Sequence, residues 1–322
     1  MKTSLIVVAV LAALVHLARQ YWARRDLPQV SSGDFDGELF VTGSTYIARR
    51  AARNGSQQTV LCFPGFLEDM RYFQALHENS ECELILLNNA NYHCPFPSLA
   101  AATLDWPKNP YLPGTIEHDG FLLGHALERL ATGQRCVLHG HSRGGAVVLE
   151  AGRQFPQLMQ RDEVEVSAIL EAPVLPRGRS VGRLSDPIPH RIACYLLPLI
   201  LGLSRNISEE RFLRQPMMRP TNDLKTRTVK TVYTVARNYH TCVTNIKSIA
   251  QWQAEAPLDV YDNFTRATVV IGERDDVLDN ASMLASAQQG AQRNAGVKIL
   301  QTEKTNHFVT LEVPGYLHPL LG

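Results

Sequence analysis

The chain has 322 residues, 45% of them hydrophobic and 20% charged, with a formal net charge of +1. That balance supports one large globular domain, or a domain carrying an inserted subdomain, with ample core. The sequence has no basic stripe with interleaved aromatics, internal repeat, low-complexity segment or long charge run, which argues against a nucleic-acid partner.

The first element is "SLIVVAVLAALVHLA", Ser4 to Ala18, apolar except for its first residue and His16. A helix of this length spans roughly 22 Å, short of a ~30 Å hydrocarbon core. It still spans if Lys2 and Arg19 snorkel and Tyr21 and Trp22 sit in the interface. The competing reading is a cleaved signal peptide. A cut after Ala18 would place His16 where a small residue is wanted, with basic residues following at once, which favours the uncleaved anchor. The flanking charges are nearly balanced and do not choose a side of the membrane. Residues 1–25 are therefore read as an anchor, with a secreted or periplasmic chain after signal cleavage as the alternative.

Strand-length apolar runs then alternate with helical patterns. "ELFVTGSTYIARR" reads as a strand pair around Gly43. "TVLCFPG", "ELILLNN", "CVLHGHS", "VSAILEAP", "ATVVIGERD" and "VKILQTE" read as buried strands. Continuous apolar strands separated by helices predict a parallel sheet covered on both faces. Helices are predicted at Glu117 to Thr132, Gly144 to Phe155 and Ala281 to Arg293, the last capped by Asp279 and Asn280. The alternation breaks between Pro173 and about Phe264. There a Pro-, Gly- and Arg-rich stretch leads into the apolar run "IACYLLPLILGL", read as a buried cap helix in preference to a segment in direct membrane contact. A long pattern from Asp223 to Trp252 follows. In it Val229, Val232, Tyr233, Ala236, Tyr239, Val243, Ile246 and Ile249 recur at helical spacing. The domain reading is a core at 35–173 and 264–322 with a helical cap at 174–263.

The motif with chemistry is "GHSRG", between a strand and a helix. A serine in such a turn is pushed out of the sheet, and Gly140 and Gly144 let strand and helix approach without clash. Ser142 then sits at a helix N-terminus, which favours a developing oxyanion. A hydroxyl is a weak nucleophile until a histidine takes its proton and a carboxylate orients that histidine. His307, just past the final strand, is the expected base. Asp275 is the favoured acid, with its neighbour Asp276 and the strand-ending Glu171 as alternatives. The expected oxyanion donors are the backbone N–H groups of Phe66, after Pro64 and Gly65, and of Arg143. His139 and His141 share a strand face, but no acidic or cysteine cluster accompanies them in sequence. They are read as core residues, and no metal or cofactor is expected. None of the six cysteines forms a CxxC pair.

The pieces "FPGF", "GHSRGG", "GERDD" and "TNHF", in this order and in these strand contexts, resemble the α/β-hydrolase superfamily. The resemblance implies an eight-stranded, mostly parallel sheet, helices on both faces, and an inserted helical cap. It also implies a hydrolase working through an acyl-enzyme. Serine at the elbow disfavours mechanisms that need a carboxylate nucleophile there. Where many relatives carry D-x-R-G-x-G-x-S, this chain reads "NNANYHCPFPSLAAATLDWPKNPYLPG", so no substrate transfers with the resemblance. The expected activity is hydrolysis of small-molecule or lipid-like esters of apolar acyl chains. Thioester, C–C bond or perhydrolase chemistry and a non-catalytic binding role are the alternatives.

Overall fold

The computed structural model describes residues 2–182, 186–233 and 235–321. Residues 183–185 of the Pro-, Gly- and Arg-rich stretch and residue 234 of the long helical pattern, both in the expected cap, lie outside that set. The strands are β1 (Glu38–Thr42), β2 (Thr45–Arg50), β3 (Gln58–Phe63), β4 (Glu83–Leu87), β5 (Ala101–Thr103), β6 (Arg135–His141), β7 (Glu165–Glu171), β8 (Arg266–Gly272) and β9 (Val297–Thr302). They form one nine-stranded sheet in the order β5-β1-β2-β4-β3-β6-β7-β8-β9. β2 pairs antiparallel with β1 and with β4, and every other neighbour pair is parallel.

The helices are α1 (Lys2–Arg24), α2 (Arg71–Leu76), α3 (Ile116–Arg129), α4 (Arg143–Gln154), α5 (Pro156–Met159), α6 (Pro187–Ser204), α7 (Glu209–Leu213), α8 (Asp223–Val232), α9 (Tyr239–Glu255), α10 (Asn280–Arg293), α11 (Val309–Glu312) and α12 (His318–Leu321). Alternate strand residues feed two cores, because successive side chains leave a strand on opposite faces. Leu61, Phe63, Leu138, Leu170 and Val269 pack with residues of α3, α4 and α10. Val60, Cys62, Val137, Ile169 and Val270 pack with residues of α2, α8 and α11. Burial on both faces explains why these strands read as continuous apolar runs.

Four expectations need correction. The sheet has nine strands rather than eight, because Ala101–Thr103, inside the Pro-rich loop, pairs with β1. Three exposed small residues carry no periodicity that could announce a strand. The pattern from Asp223 to Trp252 is two helices. Tyr233 leaves α8 in extended backbone, and Asn238 caps α9 by accepting from the N–H groups of His240 and Thr241. The run "IACYLLPLILGL" is helical but half exposed. Cys194, Pro198, Leu201 and Gly202 are buried, whereas Ile192, Ile200 and Leu203 face outward. Finally, packing begins before residue 35. Ala23 and Leu27 are buried, Trp22 lies against Gly202, and the Leu27 N–H donates to the Arg237 carbonyl at 2.8 Å.

Candidate active site

β6 ends at His141 and α4 starts at Arg143, so Ser142 alone makes the turn, at φ 53° and ψ −116°. A non-glycine residue there is strained, at a cost of about 1–3 kcal/mol, and is held only if its surroundings over-determine it. They do. The Ser142 N–H donates to the Glu171 carbonyl at 2.8 Å, and its own carbonyl accepts from Gly145 at 3.0 Å and Val174 at 2.9 Å. The two glycines of the motif are steric requirements. A Cβ on Gly140 would meet the Gly144 carbonyl oxygen at 2.2 Å, and one on Gly144 would meet that of Phe63 at 2.0 Å.

The loop after β9 carries His307 and the loop after β8 carries Asp275. Their side chains meet, Nδ1 to Oδ2, at 2.8 Å. The other Asp275 oxygen accepts from the N–H groups of Val277 at 2.8 Å and Leu278 at 3.0 Å. Burial opposes the charge, but the nearby His307 and these hydrogen bonds hold the Asp275 carboxyl below its ordinary range. A carboxylate at Nδ1 keeps the proton there and leaves Nε2 as the basic nitrogen. Asp276 is exposed. Glu171 is committed elsewhere, accepting from Tyr72, from His139 and from both the N–H and the hydroxyl of Thr310. Of the three carboxylates considered from the sequence, only Asp275 meets His307.

The turn after β3 is closed by the Glu68 N–H on the Gly65 carbonyl at 3.4 Å, with Leu67 at φ 64°. The Phe66 N–H has no acceptor among the described residues. Arg143, as the first residue of α4, has no intrahelical acceptor for its N–H. What fixes the Gly65–Glu68 turn was not visible in the sequence. Asn89, just past β4, donates to the carbonyls of Gly65 and Glu68, each at 3.0 Å. Its oxygen accepts from the Arg143 guanidinium at 2.9 Å. That guanidinium is fully buried and also binds Asp119 at 2.8 Å and the Gly114 carbonyl at 3.0 Å. Asn245 of α9 donates to the same carbonyl and accepts from Tyr92, whose oxygen takes the Leu67 N–H. One polar network thus joins the turn, the start of α4 and α9. Paired asparagines at a strand end were the only signal, and their partners are set by the fold.

His139 and His141 are both buried, but on different partners. His141 Nδ1 meets the Glu68 carboxylate at 2.8 Å, and its Nε2 meets the His307 carbonyl at 3.1 Å. Burial pulls the His141 pKa down, but the Glu68 charge and hydrogen bond outweigh it and raise the value to about 9. A folded value above the ordinary 6.5 means the pair stabilises fully below pH 6.5 and loses that contribution as pH rises through about 9. Stability measured in urea is expected to fall by on the order of 3 kcal/mol across this window. Glu68→Gln is expected to flatten the slope. An identical slope in both proteins would refute the pairing.

The fold and this turn define the class, an α/β hydrolase. A sequence profile of the Alpha/beta hydrolase family matches residues 60–317. The chain belongs to that family. No curated protein sequence matches it. Among solved structures it is similar to MenH from S. aureus, with a TM-score of 0.58 at 13% identity over 85% of this chain and 96% of that one. It is also similar to the enol-lactonase from Burkholderia xenovorans LB400, with a TM-score of 0.55 at 16% identity over 88% and 97%. A third is the N-formylmaleamic acid deformylase from Pseudomonas putida S16, with a TM-score of 0.56 at 13% identity over 88% and 100%. At such identities the likeness carries the fold alone.

Proposed function

We propose that this chain is a serine hydrolase that cleaves carboxylic esters of apolar acyl chains. Ser142 Oγ attacks the acyl carbon while His307 Nε2 takes its proton, with Asp275 steadying the resulting imidazolium. The N–H groups of Phe66 and Arg143 receive the oxyanion. The imidazolium then protonates the leaving alcohol, and water releases the acid by the same steps in reverse. The observation that carries this reading is the strained Ser142 turn together with the 2.8 Å His307–Asp275 contact.

The preference for apolar acyl groups rests on the cap. Leu197 and Leu201 of α6 belong to the same apolar cluster as Phe66 and Leu67 of the proposed oxyanion turn. Each methylene buried there is worth about 0.8 kcal/mol. Medium-chain p-nitrophenyl esters are therefore expected to exceed acetyl esters in kcat/KM. Leu197→Asn is expected to lower activity on the longer chains most. Equal loss at every chain length would mean that Leu197 only holds the cap together. A lactone, being an internal ester, and an acyl thioester complete the panel. Faster turnover of the thioester would replace the ester assignment.

The membrane reading rests on α1. Within Ser4–Arg24 the most apolar 18-residue window has a mean hydropathy of 1.7, and none of that window is buried. Its 23 residues extend about 34 Å, enough to cross a bilayer. α6 runs beside it, with the Arg19 guanidinium donating to the Tyr195 carbonyl at 2.8 Å. Because Trp22 packs on the cap, the informative deletion is residues 2–18. The shortened protein is expected in the soluble fraction, with turnover of a soluble short-chain ester unchanged. Release of the full chain by high salt alone would contradict an embedded helix, since salt screens charge without weakening apolar burial. Recovery of a mature chain lacking this segment would identify a cleaved signal instead.

A further inference from the structure

The face of the sheet beneath α2 carries a group of side chains that the proposed hydrolysis does not use. Cys62 of β3 and His139 of β6 are register partners on adjacent parallel strands, so their side chains leave the same face side by side. His77, at the C-terminal cap of α2, completes the group. One ligand atom from each of the three residues lies within 4.8 Å of the others. The relative exposures of Cys62, His77 and His139 are 0%, 1% and 0%.

Two ring nitrogens of these residues lack any partner among the described residues. His77 Nε2 and His139 Nδ1 are buried with no hydrogen bond. An imidazole nitrogen buried in that state is destabilising unless something binds it. The tautomer of His139 is set by its other side. Its Nε2 donates to the Glu171 carboxylate at 3.1 Å, so Nδ1 carries a bare lone pair directed away from Glu171. A histidine that gives one N–H to a carboxylate and leaves the other nitrogen free has the second-sphere arrangement of a metal-binding imidazole.

We propose that Cys62, His77 and His139 bind a zinc ion. The ligand set is one thiolate and two imidazoles, which suits a borderline-soft first-row cation rather than magnesium or calcium. Binding forms a Zn–S bond and displaces the thiol proton to solvent. The charges then balance, since the dication faces the Cys62 thiolate and the Glu171 carboxylate. The Arg50 guanidinium donates to the His77 carbonyl at 3.0 Å. Three protein ligands leave a fourth position for water. His77 also lines a surface cavity of about 560 Å³, together with Ser80, Leu224 and His318, which gives solvent and an incoming ion a route to the helix end. The site would pin α2 to β3 and β6. It would also hold His139 against Glu171, which in turn holds Thr310 just after His307. Its role is structural, and it is independent of the ester reading.

The test uses the full chain purified in detergent, stripped with a chelator and titrated with Co2+ as an optical stand-in for zinc. One equivalent is expected to give a thiolate-to-cobalt charge-transfer band and intense visible bands of a four-coordinate ion. Zn2+ is expected to bleach both and to raise Tm by several degrees. Cys62→Ser and His77→Gln are each expected to lose the charge-transfer band or weaken cobalt binding at least tenfold. Cys136→Ser, elsewhere in the core, is expected to change neither. Folded wild-type protein that develops no such band, or whose Tm ignores Zn2+, overturns the proposal whatever the variants do. A band that survives in Cys62→Ser also overturns it.

Discussion

Replacing Ser142 by alanine is expected to abolish covalent labelling by a fluorophosphonate and to lower ester turnover by about 10⁶-fold, with the melting temperature unchanged. Stability should hold because alanine keeps the Cβ, and with it the strain at φ 53°, and because the Ser142 hydroxyl makes no hydrogen bond among the described residues. His307→Ala is expected to be nearly as severe, since nucleophile and base act as one unit. Asp275→Asn is expected to cost about 10⁴-fold, because an amide at that place favours the wrong tautomer of His307. Asp276→Asn is expected to be mild, its side chain being exposed. Labelling that persists in Ser142→Ala would move the nucleophile elsewhere. Severe loss in Asp276→Asn with little in Asp275→Asn would reassign the acid.

The largest effect on stability is expected at Arg143. Its side chain is fully buried between Asp119, Asn89 and the Gly114 carbonyl. Arg143→Ala leaves the Asp119 carboxylate without its guanidinium, and breaking such a buried pair costs about 3–5 kcal/mol. Chemical denaturation would read this directly. The backbone N–H of residue 143 survives the change, so the loss of activity in protein that still folds measures the network rather than the donor. Arg143→Lys keeps the charge but not the planar fork and is expected to fall between. Adding Asp119→Asn to Arg143→Met is expected to recover much of the stability, since no uncompensated charge then remains. A cost below about 1 kcal/mol for Arg143→Ala would mean that water replaces the guanidinium.

Fold class was legible because its signals are local. Strands buried on both faces must be apolar throughout, as in "TVLCF" and "CVLHG", and helices between them must repeat at three and four. The turn at Ser142 was legible because its glycines mark it in the sequence, although only Gly140 is demanded by a contact inside the motif, Gly144 being demanded by the Phe63 carbonyl of β3. The order of serine, acid and histidine along the chain added the remaining candidates. The break between α8 and α9 was less visible, because apolar residues continue at helical spacing through the extended stretch. There a backbone bridge between Ala236 and Tyr92 sets the conformation. Likewise, Ala101–Thr103 becomes a strand only because β1 offers an open edge.

What the sequence by itself determined was the alternation of elements, the strained serine turn and the candidate loops at strand ends, all of which follow from residues near one another in the chain. The tertiary structure decided which groups meet. It brought Asp275 rather than Asp276 or Glu171 to His307, and gave Glu68 to His141. It also closed Asn89 over the turn that holds Phe66, and set Cys62 beside His139. Each of these is a pairing between distant residues whose side chains are unexceptional in their own segments. Such pairings depend on strand register and helix placement, which the packing of the whole domain determines.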